Sequence, residues 1–466
     1  MNCTHTLFGA AIACAAVLAP IALADDLPSR PEQLVFKPLD FKAPKAVDYR
    51  RTLANGVVVY MAPSKELPLI NLSLSFRGGA YMDPADIPGL TSAMASLMRT
   101  GGTTTVKPDE LDEKFDFLAT NAGVSAGGET VTASMNCLAS NLDQSLAMFF
   151  DMLRNPGFDQ ARLDVMKGQA IEGMKQRNDD AGSILGREWS TLIYGDNHFE
   201  SRQPTQASWS KVTVDEIAAQ HKRLIHPGNV IISVTGDFNP KEMMSKLESA
   251  MEGWQKGDRA PNPPAPIDTL TPGVYHVGKD IPQGKVRVGR RSIMRDDPDY
   301  FAAEVMNDIL GGGGFTSRLM KSIRSNEGLA YGVGSRFGAG TYYPGVFAVG
   351  FESKSPTVAL ALQLMRDEFK RMSDGPVSSE ELEVAKRSFV ESFPQTFSSR
   401  DAMLGIFVSD EWTGRDPNFW QTYRDNVNKV SAEDVQRVAK KYLNLDDMVI
   451  LVVGKWNDIA KGDLTG

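Results

Sequence analysis

The sequence predicts an α+β protein made of two homologous halves, each a mainly antiparallel sheet covered by helices. Two segments of the same design, beginning at Lys211 and Lys429, indicate a duplication. Each starts with Lys-Val-Thr or Lys-Val-Ser and continues into an acidic helical turn, a helix and an apolar strand. Each then reaches a glycine 25 residues after the lysine, at Gly236 and Gly454. A chain of 466 residues is long enough to form two cores.

Further segments supply strands and helices to both halves. Residues 71–81 and 342–353 alternate apolar and polar side chains as half-buried strands do. Residues 145–156 and 358–372 have the three-and-four spacing of amphipathic helices. Residues 89–102, GLTSAMASLMRTGG, predict a short helix between glycines with one apolar stripe. Both element types therefore occur in each half, as expected for an α+β fold.

Composition divides the chain into five parts. Residues 256–272, KGDRAPNPPAPIDTLTP, contain five prolines and no apolar periodicity, which indicates an extended linker. The linker separates an N-terminal half, residues 45–255, from a C-terminal half, residues 273–466. Residues 1–24 and an N-terminal extension, residues 25–44, precede the first half.

The first 24 residues have the features of a secretory signal peptide. They contain no Lys, Arg, Asp or Glu, and they end in Ala22-Leu23-Ala24, a small-x-small cleavage site. A retained membrane anchor is the alternative. No later stretch has the 18 or so apolar residues of a membrane span. We therefore expect a periplasmic or otherwise exported protein that has no stable membrane span after cleavage.

Charge and cysteine content exclude further classes. Fifty basic and 58 acidic residues give a net charge of −8, which disfavours a nucleic-acid partner. Cleavage of the signal peptide removes Cys3 and Cys14, so that Cys137 remains alone and no internal disulfide can form. Cys137 lies in the alternating segment VTASMNCL, where we expect a small buried side chain on a strand.

Common catalytic signatures are absent from the sequence. The mature chain has four histidines, and none is paired at the three- or four-residue spacing that directs two imidazoles to one metal ion. They are His198, His221, His226 and His276. There is no GxSxG elbow and no P-loop, and Gly311–Gly314 is interpreted as a flexible turn. A serine nucleophile with a base distant in sequence remains open.

Three segments resemble the pitrilysin/insulinase family of zinc metallopeptidases. They are FRGGAYMDPADIPGLTSAMASLMRTGGTTT (76–105), RLIHPGNVIISVTGDFNP (223–240) and, most specifically, GGGFTSRLMKSIRSNEGLAYGVGSRF (312–337). The resemblance extends from about Asp48 to Lys455. It implies the fold of LuxS and mitochondrial processing peptidase, in which two homologous halves are joined.

The resemblance also implies that the zinc site is degenerate. The inverted zinc motif HxxEH falls on residues 92–96, so Ser92, Ala95 and Ser96 replace the two histidine ligands and the glutamate. The third ligand of the family falls near residues 169–173, where Glu172 lies. One carboxylate cannot hold a catalytic zinc ion by itself. We therefore expect no metal, no cofactor and no complete catalytic site on this chain.

The second half keeps a pair of residues that family members use to bind substrate. Family members carry an Arg and a Tyr seven residues apart, and IRSNEGLAY has them as Arg324 and Tyr331. A guanidinium can hold a peptide carbonyl, and a phenol can donate a hydrogen bond to the oxyanion that forms on the scissile carbonyl. A solvated Arg324 and a packed Tyr331 are the alternative.

Together, these residues predict the noncatalytic, substrate-binding subunit of a heterodimeric, exported zinc endopeptidase. Zinc and HxxEH are expected on a homologous partner chain, and peptides are the expected substrates. Residues 121–134, NAGVSAGGETVTAS, are a candidate sheet edge for peptide binding, or else an ordinary strand with a bulge. Two other functions stay open: a structural or assembly protein of this fold, and a hydrolase with an unrecognised site.

Overall fold

Two sheets form the framework of the molecule. The computed structural model describes residue 30 and residues 40–462. The predicted signal peptide, residues 1–24, lies outside the described residues. The strands are β1 (Arg50–Thr52), β2 (Val58–Pro63), β3 (Leu69–Arg77), β4 (Asn121–Ala126), β5 (Thr130–Leu138), β6 (Val230–Gly236), β7 (Gly273–Gly278), β8 (Gln283–Arg291), β9 (Ala330–Phe337), β10 (Val346–Lys354) and β11 (Val449–Gly454).

The two sheets have the same topology. Their strand orders are β1-β2-β6-β3-β5-β4 and β7-β11-β8-β10-β9, so that they match from β2 and β7 onward. In each sheet the first matched pair is parallel, β2 with β6 and β7 with β11. The remaining pairs are antiparallel. The predicted fold of two homologous halves with mainly antiparallel sheets is confirmed.

Helices follow the strands in nearly the same order in both halves. They are α1 (Ala46–Tyr49), α2 (Leu90–Thr100), α3 (Pro108–Phe117), α4 (Leu142–Arg154), α5 (Gln160–Gln176), α6 (Ala181–Tyr194), α7 (Gln206–Lys211), α8 (Val214–Leu224), α9 (Pro240–Met251), α10 (Tyr300–Asn307), α11 (Val358–Asp374), α12 (Ser379–Ser392), α13 (Arg400–Thr413), α14 (Phe419–Lys429), α15 (Ala432–Tyr442) and α16 (Trp456–Lys461). Helices α1 and α3 of the first half have no α-helical counterpart among the described residues of the second. Two π-helical segments, Asp308–Gly312 and Met320–Asn326, occur in the second half. Within the described residues, no helix is both long and apolar enough to cross a bilayer.

One face of each sheet packs against helices of its own half. In the first half, fully buried side chains such as Leu74, Phe76 and Phe149 join β3 to α4, and Met94 of α2 belongs to the same core. The equivalent core of the second half contains Val288, Phe347 and Phe369. Cys137 is buried on β5 as expected and is a free thiol.

The other face of each sheet packs against a helix from the opposite half. Side chains of α6, in the first half, cover β11 of the second half. The contacting residues are Ala181, Ile184, Leu185, Trp189 and Ile193 of α6 with Val449, Leu451 and Val453 of β11. Because β11 is thus buried on both faces, its sequence VILVVG is a continuous apolar run without alternation.

Helix α13 makes the reciprocal contact. Its side chains Met403, Leu404, Phe407, Val408 and Trp412 pack on Tyr60, Ala62 and Ile231 of the first sheet. A polar contact accompanies them, since Glu411 accepts hydrogen bonds from Arg50 at 3.0 Å and from Tyr60 at 2.9 Å. The two halves therefore exchange one helix each, and neither sheet is fully covered without the other half.

The segment between the halves is held at several points. Residues 254–272, all of which the structure describes, form no helix or strand. Tyr81 donates a hydrogen bond to the carbonyl oxygen of Pro261 at 2.7 Å, and Arg291 donates one to the carbonyl oxygen of Asp268 at 2.8 Å. Both halves thus hold this segment through side chains.

Candidate functional site

Helix α2 contains residues 92–96, the positions on which the zinc motif of the resembled family falls. It follows β3, and it begins after Gly89, whose φ of 95° is in the left-handed region that favours glycine. The carboxylate of Asp83 accepts hydrogen bonds from the backbone N–H groups of Gly89 and Thr91, both at 2.8 Å. Burial raises the pKa of Asp83, and the hydrogen bonds from Thr91 and Gly89 oppose that rise. The start of the helix is therefore fixed by a buried polar network.

The motif positions of α2 divide between two faces. Ser92 and Ser96, one turn apart, are exposed, whereas Ala95 is 1% exposed and packs in the core. Met94 and Leu97 are fully buried on the packed face. The two ligand positions are thus open to solvent but carry neutral hydroxyls, which are not among the usual zinc ligands, and the position of the glutamate is filled by a methyl group. The prediction for these three residues concerned lost function, and their location on an intact helix is consistent with it.

In the part of the chain that the structure describes, no other side chains form a metal site near α2. Glu172 is exposed on α5, and its carboxylate pairs with Lys175 at 2.6 Å, one turn away on the same helix. Within residue 30 and residues 40–462, no group of three or more His, Cys, Asp and Glu side chains is arranged to hold a metal ion. The described residues do not fit a catalytic zinc ion.

The four histidines contact backbone carbonyl oxygens. The Nε2 atoms of His198, His221, His226 and His276 lie 2.9, 2.7, 3.2 and 3.1 Å from the carbonyl oxygens of Pro264, Leu153, Arg223 and Gly454, respectively. Burial lowers the pKa values of His198, His221 and His226. These contacts, all with backbone of the protein itself, give the four side chains structural roles.

The equivalent region of the second half has a different backbone. Helix α10 follows β8 and passes directly into the π-helical segment Asp308–Gly312, and Met320–Asn326 forms a second π-helical segment. Such segments are rare in proteins and often occur at functional sites. Arg324 lies in the second segment, and Tyr331 lies at the start of the edge strand β9.

The structure brings Arg324 and Tyr331 into contact. The guanidinium carbon of Arg324 lies 5.1 Å from the centroid of the Tyr331 ring, and it lies 4.7 Å from the centroid of the Phe315 ring. Tyr331 is 90% exposed, which contradicts the alternative that its ring is packed in the core. Within the described residues, neither the guanidinium nor the phenol forms a hydrogen bond or an ion pair. Both groups are available to a ligand.

Phe315 is the member of this group that sequence reasoning missed. It is 68% exposed, although it is a large apolar side chain. It follows the run Gly311–Gly314, which was interpreted only as a flexible turn. The signal was the placement of a phenylalanine directly after four glycines, because such a position can present a ring to solvent.

Two acidic side chains, one on α10 and one in the π-helical segment that follows it, have raised pKa values. Burial raises the pKa of Glu304 on α10 to about 7, with Arg336 lowering it and Asp308 raising it further. Burial raises the pKa of Asp308 to about 6. Strongly raised carboxyl pKa values cluster at functional sites, although buried structural carboxyls show them as well.

Two family models match successive parts of the chain. A model described as Insulinase (Peptidase family M16) matches residues 59–199, and one described as Peptidase M16 inactive domain matches residues 211–389. The chain is 24% identical over 396 residues to a non-peptidase homolog, YmxG, of Helicobacter pylori, a match that covers 83% of this chain and 89% of that protein.

Two further matches span most of the chain. An uncharacterized zinc protease of Streptomyces coelicolor is 24% identical over 405 residues, covering 84% of this chain and 87% of the relative. A crystal structure of a peptidase M16 inactive domain from Pseudomonas fluorescens has a TM-score of 0.77 at 24% identity, covering 87% of this chain and 97% of that one. At this identity the structural match shows a shared fold.

Proposed function

Because the chain belongs to the insulinase family, peptidase family M16, we propose that it is the noncatalytic, substrate-binding subunit of a heterodimeric zinc endopeptidase. The observation that carries this proposal is the contact between Arg324 and Tyr331, whose polar groups have no other partner within the described residues. The zinc ion and its HxxEH motif belong to a homologous partner chain. The relative named a non-peptidase homolog supports the absence of independent activity.

The division of roles follows from the donors that each half offers. Hydrolysis by a zinc peptidase needs about three protein ligands and an open coordination position. Ser92, Ala95 and Ser96 supply no imidazole and no carboxylate, so a metal-dependent step has to use the partner's residues. Helix α2 is retained because its packed face belongs to the core of the first half, whatever its exposed face carries.

Arg324 and Tyr331 contribute binding and charge stabilisation. The guanidinium donates hydrogen bonds to a carbonyl oxygen of the peptide and so fixes its position. The Tyr331 hydroxyl donates a hydrogen bond to the oxyanion that develops on the scissile carbonyl. The 5.1 Å separation of the guanidinium carbon and the ring centroid allows both groups to contact one peptide unit.

Edge strands offer a second kind of contact to the substrate. Strand β4 pairs with β5 on one side only, so its other side carries unpaired backbone groups. Arg99 already donates to the carbonyl oxygen of Ala122 at 3.0 Å, which leaves the part of β4 from Gly123 to Ala126 for a peptide. An extended peptide that adds a strand here is recognised through its backbone, which suits a subunit with broad substrates. The predicted signal peptide, residues 1–24, supports a periplasmic or otherwise exported location for the complex.

The test is a reconstitution experiment. This chain and an HxxEH-bearing homologous chain are purified separately, and the zinc content and the cleavage of an unstructured peptide are measured for each chain and for the mixture. We expect no stoichiometric zinc and no cleavage from this chain, and cleavage by the mixture. Tyr331→Phe should lower kcat of the mixture by about 100-fold, the usual cost of removing one oxyanion donor. Arg324→Ala should lower kcat/KM by roughly 10- to 100-fold, because it removes charge-assisted hydrogen bonds to the peptide.

Lys321→Ala is the matched control for Arg324→Ala. Lys321 is an exposed cation in the same π-helical segment, three residues before Arg324, and its removal should leave kcat and kcat/KM within about twofold. An active mixture that is insensitive to both site substitutions contradicts the binding role of Arg324 and Tyr331. Cleavage by this chain alone favours a hydrolase with an unrecognised site, and a stable complex that never cleaves favours a structural subunit.

A further inference from the structure

The Arg324 guanidinium lies close to two exposed aromatic rings. Its carbon is 4.7 Å from the Phe315 centroid and 5.1 Å from the Tyr331 centroid. Phe315 is 68% exposed and Tyr331 is 90% exposed, so neither ring is held by burial in the core. A cation at these distances from a ring is attracted by the negative charge of its face. The three side chains form one exposed group, which we call the ring–cation–ring group.

The glycines before Phe315 are closely packed or have a positive φ, and they fix the backbone that carries its ring. A Cβ atom on Gly311 would lie 2.7 Å from the backbone nitrogen of Ser335, and one on Gly313 would lie 2.8 Å from the carbonyl oxygen of Asp308. Gly314 has a φ of +62°, which favours glycine. Close packing and backbone conformation therefore require glycine at three positions. Gly311 and Gly312 end the π-helical segment Asp308–Gly312, and Gly313 and Gly314 lie after it, so the prediction of a turn was wrong for the first two glycines.

Hydrogen bonds after the loop hold the turn that carries Phe315. The side chain of Thr316 donates to the carbonyl oxygen of Gly313 at 2.9 Å, and that of Ser317 donates to the carbonyl oxygen of Gly314 at 2.7 Å. Ser317 is 1% exposed, so this end of the turn is anchored in the protein. The backbone thus fixes the position of Phe315 from both sides while its ring remains in solvent.

We propose that Phe315 is a positioning residue that holds the Arg324 guanidinium beside Tyr331 before a peptide arrives. This inference rests on the proposed substrate-binding role of Arg324 and Tyr331. An arginine without hydrogen bonds on an exposed surface samples many rotamers, and ordering it on binding reduces affinity. The rings of Phe315 and Tyr331 both lie close to the guanidinium carbon, so they restrict the rotamers of Arg324, while its N–H groups have no hydrogen-bond partner within the described residues. Exclusion of water by the bound peptide strengthens the attraction between the cation and the rings.

The test separates the aromatic face of Phe315 from its apolar bulk. Phe315→Ala, Phe315→Leu and Phe315→Tyr are compared in the complex with the HxxEH-bearing partner, with an unstructured peptide as substrate. We expect kcat/KM to fall about fivefold in the Ala and Leu variants and to stay within twofold of wild type in the Tyr variant, which keeps the ring. Phe117→Ala is the matched control, because Phe117 is 87% exposed in the first half and should leave kcat/KM unchanged.

A double variant and a spectroscopic measurement isolate the positioning role. Phe315→Ala should have no further effect in an Arg324→Ala background, because its effect acts through Arg324. In NMR spectra of the full chain alone, the Arg324 Hε signal should be displaced by the ring current in wild type and Phe315→Tyr. It should move toward the random-coil position in Phe315→Ala and Phe315→Leu.

The outcomes distinguish the two proposals. If Arg324→Ala has a large effect but Phe315→Ala has none, or if Phe315→Leu is as active as Phe315→Tyr, the positioning role is wrong while the proposed function stands. If Arg324→Ala has no effect, the proposed function fails. In that case the Hε measurement decides whether Phe315 holds the guanidinium at all, and an Arg324 signal that is unchanged in Phe315→Ala overturns that claim too.

Discussion

The helix that follows β3 and the helix that follows β8 occupy equivalent places in two halves of the same topology, yet they have diverged in different directions. Helix α2 is a regular helix that begins at a buried network around Asp83 and carries Ser92 and Ser96 on its exposed side. Helix α10 continues into a π-helical segment, and the residues that follow in the chain include the ring–cation–ring group. The first region has an intact helix with serines at its exposed positions, and the second has exposed groups for which we propose a substrate-binding role.

The starts of the two helices show the same contrast in their electrostatics. Asp83 is bonded by neutral backbone and hydroxyl donors, and burial raises its pKa. Asp299 precedes α10, and burial alone would raise its pKa, but hydrogen bonds from Lys441 and Arg437 outweigh that effect and the pKa is lowered. Asp83 lies seven residues before α2 and Asp299 directly precedes α10, so the two carboxylates differ in position as well as in partners. A duplicated fold thus preserves the packing of an element more strictly than the chemistry at its ends.

The largest expected effect tests whether the packed faces remained equivalent. Met94 on α2 and Met306 on α10 are both fully buried. Met94→Ala and Met306→Ala should each lower the free energy of unfolding by about 2 to 5 kcal/mol, because each removes buried methylene groups and leaves a cavity. Urea denaturation of the full chain measures both values. A cost below about 1 kcal/mol for either variant would show that its half has a looser core.

An effect of intermediate size is expected in the second half, where Glu304 should make the unfolding free energy depend on pH. The folded pKa of Glu304, about 7, is above its ordinary value of 4.5, so the folded state binds this proton more tightly than the unfolded state. Its contribution to stability is complete below pH 4.5 and is lost as the pH rises through 7. At about 1.4 kcal/mol per pKa unit, the loss is about 3 kcal/mol at pH 8.

Glu304→Gln removes this titration. The unfolding free energy of the variant, relative to wild type, should therefore increase by about 3 kcal/mol between pH 4.5 and pH 8. Asp308 and Arg336, which interact with Glu304, are present in both proteins. Glu383→Gln, at an exposed position of α12, is the control and should show no such trend. Parallel pH profiles for wild type and Glu304→Gln would refute the assignment.

The smallest expected effect concerns Ser92 and Ser96, on which the histidine positions of the zinc motif fall. Ser92→Ala and Ser96→Ala, separately and together, should change the unfolding free energy by less than about 0.5 kcal/mol, because both side chains are exposed. Zinc titration of the purified chain should give the same weak binding before and after the substitutions. Stoichiometric zinc in the wild-type chain that disappears in the double variant would restore a metal site to α2 and remove the contrast between the halves.

Much of this description was accessible from residue patterns. The predicted strands at 71–81 and 342–353 overlap β3 and β10, and the predicted helix at 358–372 lies within α11. The edge-strand candidate at 121–134 is a hairpin of β4 and β5 with a turn between them, and it contains no bulge. Periodicity predicts such elements because a half-buried strand and a half-buried helix need different spacings of apolar residues.

Other features depend on contacts that local patterns do not encode. The spacing of apolar residues in α13 predicts that one side of this helix is buried. It does not predict which part of the protein covers that side. Only the three-dimensional arrangement places Phe407 on Tyr60 of the other half, and only it places Phe315 against Arg324, nine residues along the chain. The raised pKa of Glu304 likewise depends on what surrounds the carboxyl group.

The sequence by itself determined the duplication, the types of the elements and the presence of Arg324 and Tyr331, because each of these is a property of residue identity and spacing. Its resemblance to the family gave the expectation that Ser92 and Ser96 replace zinc ligands. The tertiary structure decided which half covers which sheet and which side chains face solvent together. Those outcomes follow from packing between segments more than 100 residues apart, such as α6 (Ala181–Tyr194) and β11 (Val449–Gly454), and such packing depends on shape complementarity across the whole chain.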